Sequence, residues 1–143
     1  MRFALVVSRY HSFITDRLET GARAALVEGG ITPDDVVSFP VPGAFELAQA
    51  ASRIASTGAW AGVVCLGCLI RGETPHFDYI AQAAAHGIML AGQMTQAPVT
   101  FGLLTTNTAE EALARAGDGA SNKGREAAIA ALEMARLYAR LGE

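Results

Sequence analysis

The chain has 143 residues, 51% hydrophobic and 17% charged, and its 11 basic and 14 acidic side chains give a formal net charge of -3. A chain of this size and balance buries roughly two thirds of its unfolded surface, which excludes a disordered linker, a collagen-like repeat and a disulfide-stapled miniprotein. No run of like charge invites nucleic acid or an anionic membrane, and the longest strongly apolar run, Ala59 to Ile70, falls short of the roughly twenty residues that span a bilayer.

The first predicted strand is Phe3 to Val7, too short for a signal-peptide core and followed at once by Ser8-Arg9, so the expected compartment is the cytoplasm. Ile14, Leu18, Ala22, Ala25 and Leu26 then recur at helical spacing, with Ser12 as the expected cap and Gly29-Gly30 as the stop. After a turn at Thr32 to Asp35, Val36 to Phe39 reads as a second strand ended by Pro40 and Pro42. Gly43 opens a helix with Leu47, Ala50, Ala51 and Ile54 on its inner face, and Ala61 to Leu66 reads as a buried third strand. Thr74 and Pro75 are expected as N-cap and first residue of the third helix. Val99 to Leu104 is the fourth strand, and Thr108 with Glu111 forms a capping box for a short helix to Ala116. A glycine-rich turn leads to a last helix from about Lys123, with Ala128, Leu132, Ala135 and Ala139 inward and Glu126, Glu133, Arg136 and Arg140 outward.

This alternation predicts an α/β fold, a four-stranded parallel sheet with helices on both faces, and residues 1–143 as a single domain. One stretch departs from ordinary surface chemistry. Between Tyr79 and Ala109 there is no Asp, Glu, Lys or Arg, although a long helix and a strand fall there. A bland surface helix is one explanation. Cover by a second copy of the chain is the more economical one.

Cys65 and Cys68 form a C-x-x-C, but they sit in a buried-strand pattern where side chains three apart face opposite ways. A redox thiolate prefers a helix N-terminus, and two cysteines leave a zinc site two ligands short. They read as two apolar packers, with no metal implied.

In an open parallel sheet, ligands bind beyond the carboxyl ends of the strands. The unusual residues collect there: Tyr10-His11, Ala44-Phe45-Glu46, the run from Cys68 to His76, and Phe101 to Thr106. The chain contains no phosphate-binding glycine loop of the nucleotide type. The segment Arg71-Gly72-Glu73-Thr74-Pro75-His76 instead offers backbone N–H groups at a helix start, suited to phosphate or another anion, with an imidazole beside them. A plain capping histidine fits that segment as well. Arg115 could hold phosphate bidentately and Lys123, the sole lysine, could act as a point charge, or both could be solvated surface cations. Tyr10 and Phe45 offer flat faces to a heterocycle, unless they belong to the core.

Together these motifs resemble the 6,7-dimethyl-8-ribityllumazine synthase family of riboflavin biosynthesis. The resemblance rests on Val41-Pro42-Gly43-Ala44-Phe45-Glu46, the run from Ile70 to Tyr79, Pro98 to Thr106, Arg115-Ala116-Gly117 and Asn122-Lys123-Gly124, which share the family's order and spacing. It implies a flavodoxin-like three-layer sandwich and a transferase. The enzyme would condense 5-amino-6-(D-ribitylamino)uracil with 3,4-dihydroxy-2-butanone 4-phosphate, releasing phosphate, without a cofactor.

By the same resemblance His76 is the expected proton donor and acceptor, Arg115 with the Glu73-Thr74 backbone the phosphate grip, and Tyr10 the ring that stacks on the pyrimidine. Ala44, Phe45 and Glu46 would line the pyrimidine and ribityl pocket, and Cys68, Leu69 and Ile70 would meet the uracil edge. Lys123 and Phe101 would complete the site, Phe101 from a neighbouring subunit. The implied partners are these small molecules and further copies of the chain, in a pentamer or a higher assembly of pentamers. Departures from the family pattern fall at Tyr10, His11 and Cys68-Leu69. Other readings are a flavin-binding paralogue, a riboflavin synthase of the related archaeal kind, which needs no phosphate grip, and a mainly structural shell protein.

Overall fold

The apolar run at Phe3 becomes β1 (Phe3–Ser8), every residue of which is buried, as a strand covered on both faces requires. It is followed by α1 (Ser12–Glu28), β2 (Val36–Val41), α2 (Leu47–Ser56), β3 (Gly62–Ile70), α3 (His76–Gln93), β4 (Val99–Thr106), α4 (Ala109–Ala114) and α5 (Lys123–Leu141). Short 3-10 turns at Pro33–Asp35 and Ala44–Glu46 lead into β2 and α2. The structure is a computed structural model and describes residues 1–142. Its strands pair in the order β2-β1-β3-β4, all parallel, so the chain reverses its winding between β1 and β3.

Period-two alternation along the strands builds two apolar layers. Phe3, Leu5, Val7, Leu66, Cys68 and Leu104 meet Ile14 and Leu18 of α1 and Ala128 and Leu132 of α5. Ala4, Val6, Val63, Cys65 and Leu103 meet Leu47 and Ala51 of α2 and Ala84 and Ile88 of α3. Each fully buried aliphatic side chain contributes about 1.5–3 kcal/mol relative to exposure. The result is the expected α/β arrangement of three layers, consistent with a flavodoxin-like fold.

The two cysteines fall into opposite layers and both are free and buried. Burial pushes the Cys65 thiol up to about 12 and that of Cys68 up to about 11, which leaves both unreactive at neutral pH. Among the described residues, no three His, Cys, Asp or Glu side chains gather as a metal cage, and no helix is long and apolar enough to cross a membrane.

Several element ends differ from the sequence reading. His11, rather than Ser12, occupies the cap of α1, in a left-handed conformation with φ 61° and ψ 48°. Its carbonyl accepts the N–H groups of Ile14 at 2.9 Å and Thr15 at 3.0 Å, so the helix starts there without a side-chain cap. β2 runs through Pro40 to Val41, which an edge strand tolerates because one of its sides carries no ladder. β3 continues past Leu66 because β4 goes on pairing with it as far as Ile70 opposite Thr106, after β1 has ended.

Pro75, rather than Thr74, caps α3, its carbonyl accepting from Asp78 at 3.0 Å and Tyr79 at 3.3 Å. The capping box of Thr108 and Glu111 is present, but α4 ends at Ala114, two residues early. Ala139 is exposed, because the last turn of α5 stands clear of the sheet-facing stripe.

Candidate functional site

The winding reversal leaves a cleft of about 640 Å³ beyond the carboxyl ends of β1, β2 and β3. From β1 come Tyr10, 65% exposed, and His11, whose ring meets that of Tyr10 edge-on at 4.5 Å. Burial holds the His11 imidazole below the usual histidine range. From the turn after β2 come Ala44, Phe45 and Glu46, with Ala44 buried and the Phe45 ring 61% exposed over the opening. Gly43, in extended conformation, precedes that 3-10 turn at the rim. Leu69 and Ile70 form the wall at the end of β3.

Gly72, Thr74 and His76 close the other side of the cleft. His76 is the first residue of α3, and no side chain caps that helix. The first N–H groups of a helix have no partner within it, and they add to the positive end of its dipole. An exposed imidazole therefore stands where an anion would be drawn.

A second hollow of about 390 Å³ lies against the edge strand β4 and α5, and shares no lining residue with the first. Phe101, Arg115 and Lys123 line it. Arg115 caps the end of α4 and donates from Nη1 to its own turn, at the Glu111 carbonyl 2.9 Å away. The backbone N–H of Lys123 donates to the Arg115 carbonyl at 2.9 Å, which holds the two residues next to each other at this hollow. Lys123 pairs with Glu126 at 2.9 Å, a half-exposed contact of small energetic weight.

Of the residues singled out in the sequence, Tyr10, Ala44, Phe45, Glu46, Leu69, Ile70, Thr74 and His76 share the first hollow. Phe101, Arg115 and Lys123 share the second. Glu73 is exposed between Gly72 and Thr74 but does not line the cleft. Cys68 borders neither hollow. Its side chain is 1% exposed and packs in the layer under α1 and α5, so the strand-end segment meets the cleft only from Leu69 onward. His11, Gly43, Phe77 and Ile80 also line the cleft. Helical spacing from His76 carried the signal for Ile80, one turn further along α3.

One region of the surface is unlike the rest. Along α3, Tyr79 is 73% exposed and Met89 49%, with Ala83 and His86 also exposed on that side. No charged residue interrupts this face between Tyr79 and the end of the helix.

The family model described as 6,7-dimethyl-8-ribityllumazine synthase matches residues 1–139. A 6,7-dimethyl-8-ribityllumazine synthase from Salinibacter ruber is 49% identical over 140 residues, covering 98% of this chain and 90% of that protein. Both spans run through every residue of the two hollows, from Tyr10 to Ala130. With its matched length, its sheet order and its motifs at both hollows, the chain belongs to the 6,7-dimethyl-8-ribityllumazine synthase family.

Proposed function

We propose that this enzyme, a transferase of riboflavin biosynthesis, completes each active site by setting the cleft of one protomer against the β4 hollow of the next. The reaction condenses 5-amino-6-(D-ribitylamino)uracil with 3,4-dihydroxy-2-butanone 4-phosphate, giving the lumazine, phosphate and two molecules of water. Imine formation, phosphate loss and ring closure demand two substrates held together and protons moved between them, and the whole chain, as one domain, serves that task.

In this reading Tyr10 stacks on the pyrimidine, and Ala44, Phe45 and Glu46 line its pocket, with Glu46 accepting ribityl hydroxyls. Leu69 and Ile70 meet the uracil edge, with Cys68 behind them in the core. The phosphate sits between the Glu73-Thr74 backbone at the start of α3 and the guanidinium of Arg115. Lys123 adds a second positive charge, and Phe101 closes the pocket from the neighbouring copy. His76 takes a proton from the amine and returns one to the leaving oxygen.

The observation that carries this reading is the division of the expected residues between two hollows that share no lining residue. The uncharged face of α3 supports it independently, since a surface so poor in charge suits contact with a second copy. A cleft meeting a different patch is a heterologous contact, and such contacts close into a ring when the rotation between neighbours divides a full turn. A cytoplasmic pentamer, alone or within a larger shell, fits that requirement.

The test is direct. Purified protein given both substrates should release phosphate and form fluorescent lumazine, whereas folded protein that forms neither would overturn the reading. Riboflavin formed from lumazine alone would assign the chain to the dismutating enzyme instead.

A further inference from the structure

His76 and Arg115 stand on different helices of one protomer, and a single side chain bridges the elements that carry them. Arg71 follows β3, and its backbone N–H donates to the Thr106 carbonyl at the end of β4, 2.8 Å away. Its Nε donates to Oδ1 of Asn107 at 3.0 Å, and its Nη1 reaches the Asp78 carboxylate at 3.3 Å in the first turn of α3. The guanidinium also lies 4.6 Å from the ring centre of Phe77, a cleft residue beside His76.

The chain of contacts continues beyond Asn107. The Asn107 N–H donates to Oε1 of Glu111 at 2.7 Å, the same carboxylate that closes the capping box of α4. The Glu111 carbonyl in turn accepts from Arg115 at 2.9 Å. Every link from the helix of His76 to the guanidinium of Arg115 is thus a hydrogen bond, an ion pair or a bonded neighbour.

We propose that Arg71 is a positioning residue that sets the start of α3 in register with α4, and so sets both phosphate-holding ends of each protomer at once. The proposal rests on the function given above. A planar fork suits the task, because two of its edges face different elements while its plane lies over an aromatic ring. A lysine there keeps the charge but cannot span both partners. The Arg71 and Asp78 side chains are 48% and 49% exposed, so their pairing adds little to stability, and its loss should act on placement rather than folding. Most of the pyrimidine end of the cleft, Tyr10 and Ala44 to Glu46 after β1 and β2, lies outside this chain of contacts, and Leu69 and Ile70 are held by β3 itself rather than by the Arg71 side chain.

Steady-state kinetics of Arg71→Lys, Asn107→Ala and the double variant test the proposal, with thermal unfolding measured alongside. In each single variant, KM for the butanone phosphate should rise about three- to tenfold and kcat should fall by a similar factor, since small misplacements of reacting groups cost rate steeply. KM for the pyrimidine should stay within about twofold, and the double variant should be no worse than the more damaged single one, as members of one linked unit behave. Unchanged kinetics, an equal rise in both KM values, or additive losses would overturn the proposal. Asn107→Ala decides the matter by itself if Arg71→Lys does not fold. Failure of the wild-type protein to make lumazine would overturn the function and this inference together; normal wild-type turnover with unaltered variants would overturn the inference alone.

Discussion

In the function proposed above, the imidazole of His76 moves protons and the guanidinium of Arg115 holds charge, so their loss should show in different kinetic constants. Arg115→Ala should raise KM for the phosphorylated substrate about ten- to a hundredfold, the equivalent of a charge-assisted bidentate contact, and leave KM for the pyrimidine nearly unchanged. His76→Ala should lower kcat by about a hundredfold with modest change in either KM. Steady-state kinetics with each substrate varied in turn reads both, and an equal loss of affinity for both substrates in the arginine variant would contradict its role. At this scale the sequence was informative about placement, since Tyr10, Glu46 and His76, singled out at three separate strand ends, line one cleft. It was least informative where backbone geometry decides. Cys68 was read from its strand pattern as an apolar packer and from the resemblance as a neighbour of the uracil edge, and period-two alternation along a strand longer than expected turns its thiol into the core. His11 owes its place on the cleft to a left-handed φ that no composition rule announces, although histidine is among the residues that tolerate it.

Helices and strands were legible from their periodicity, their ends much less so. The inner stripe of α1, Ile14 through Leu26, is buried throughout, and the box at Thr108 and Glu111 formed as its spacing required. The ends of β3 and β4 depend on each other, since each extends only because the other is there to pair with, and that is a tertiary fact. Close helix packing was likewise invisible. Gly124 on α5 lies so near α1 that a Cβ there would stand 2.1 Å from the Leu18 carbonyl oxygen. Gly124→Ala should therefore push α1 and α5 apart and destabilise the protein by about 1–3 kcal/mol or more, read as a lower midpoint in thermal or urea unfolding. An unchanged midpoint would mean that the two helices separate without cost. Because Lys123 is the neighbouring residue at the start of α5, the same variant should also weaken binding of the phosphorylated substrate.

For the whole molecule, the informative sequence feature was an absence of charge from Tyr79 to Ala109. The structure turns that absence into a place, the outer side of α3, where Tyr79 and Met89 stand 73% and 49% exposed on the single chain. Such a face is uncomfortable in water and suits burial against another protomer. Ala83→Glu should put a charge in the middle of it. The variant should fall to a smaller mass in light scattering, keep its circular dichroism and lose most of its turnover, whereas wild-type mass and activity would show that this face takes no part in assembly. How many copies assemble cannot be read from one chain's periodicity, because ring size follows from an angle between protomers.

The central claim is that the two hollows of different protomers make one site, and mixing two variants impaired in different hollows tests it most directly. His76→Ala and Arg115→Ala protomers, unfolded and reassembled together, place an intact cleft against an intact β4 hollow at about a quarter of the contacts in a randomly mixed ring. Assayed with the butanone phosphate well below its wild-type KM, lumazine formation by the mixture should approach a quarter of the wild-type rate, while each variant reassembled alone stays at about a tenth of that rate or less. A mixture that assembles to wild-type mass yet is no faster than the average of its parents would contradict the shared site.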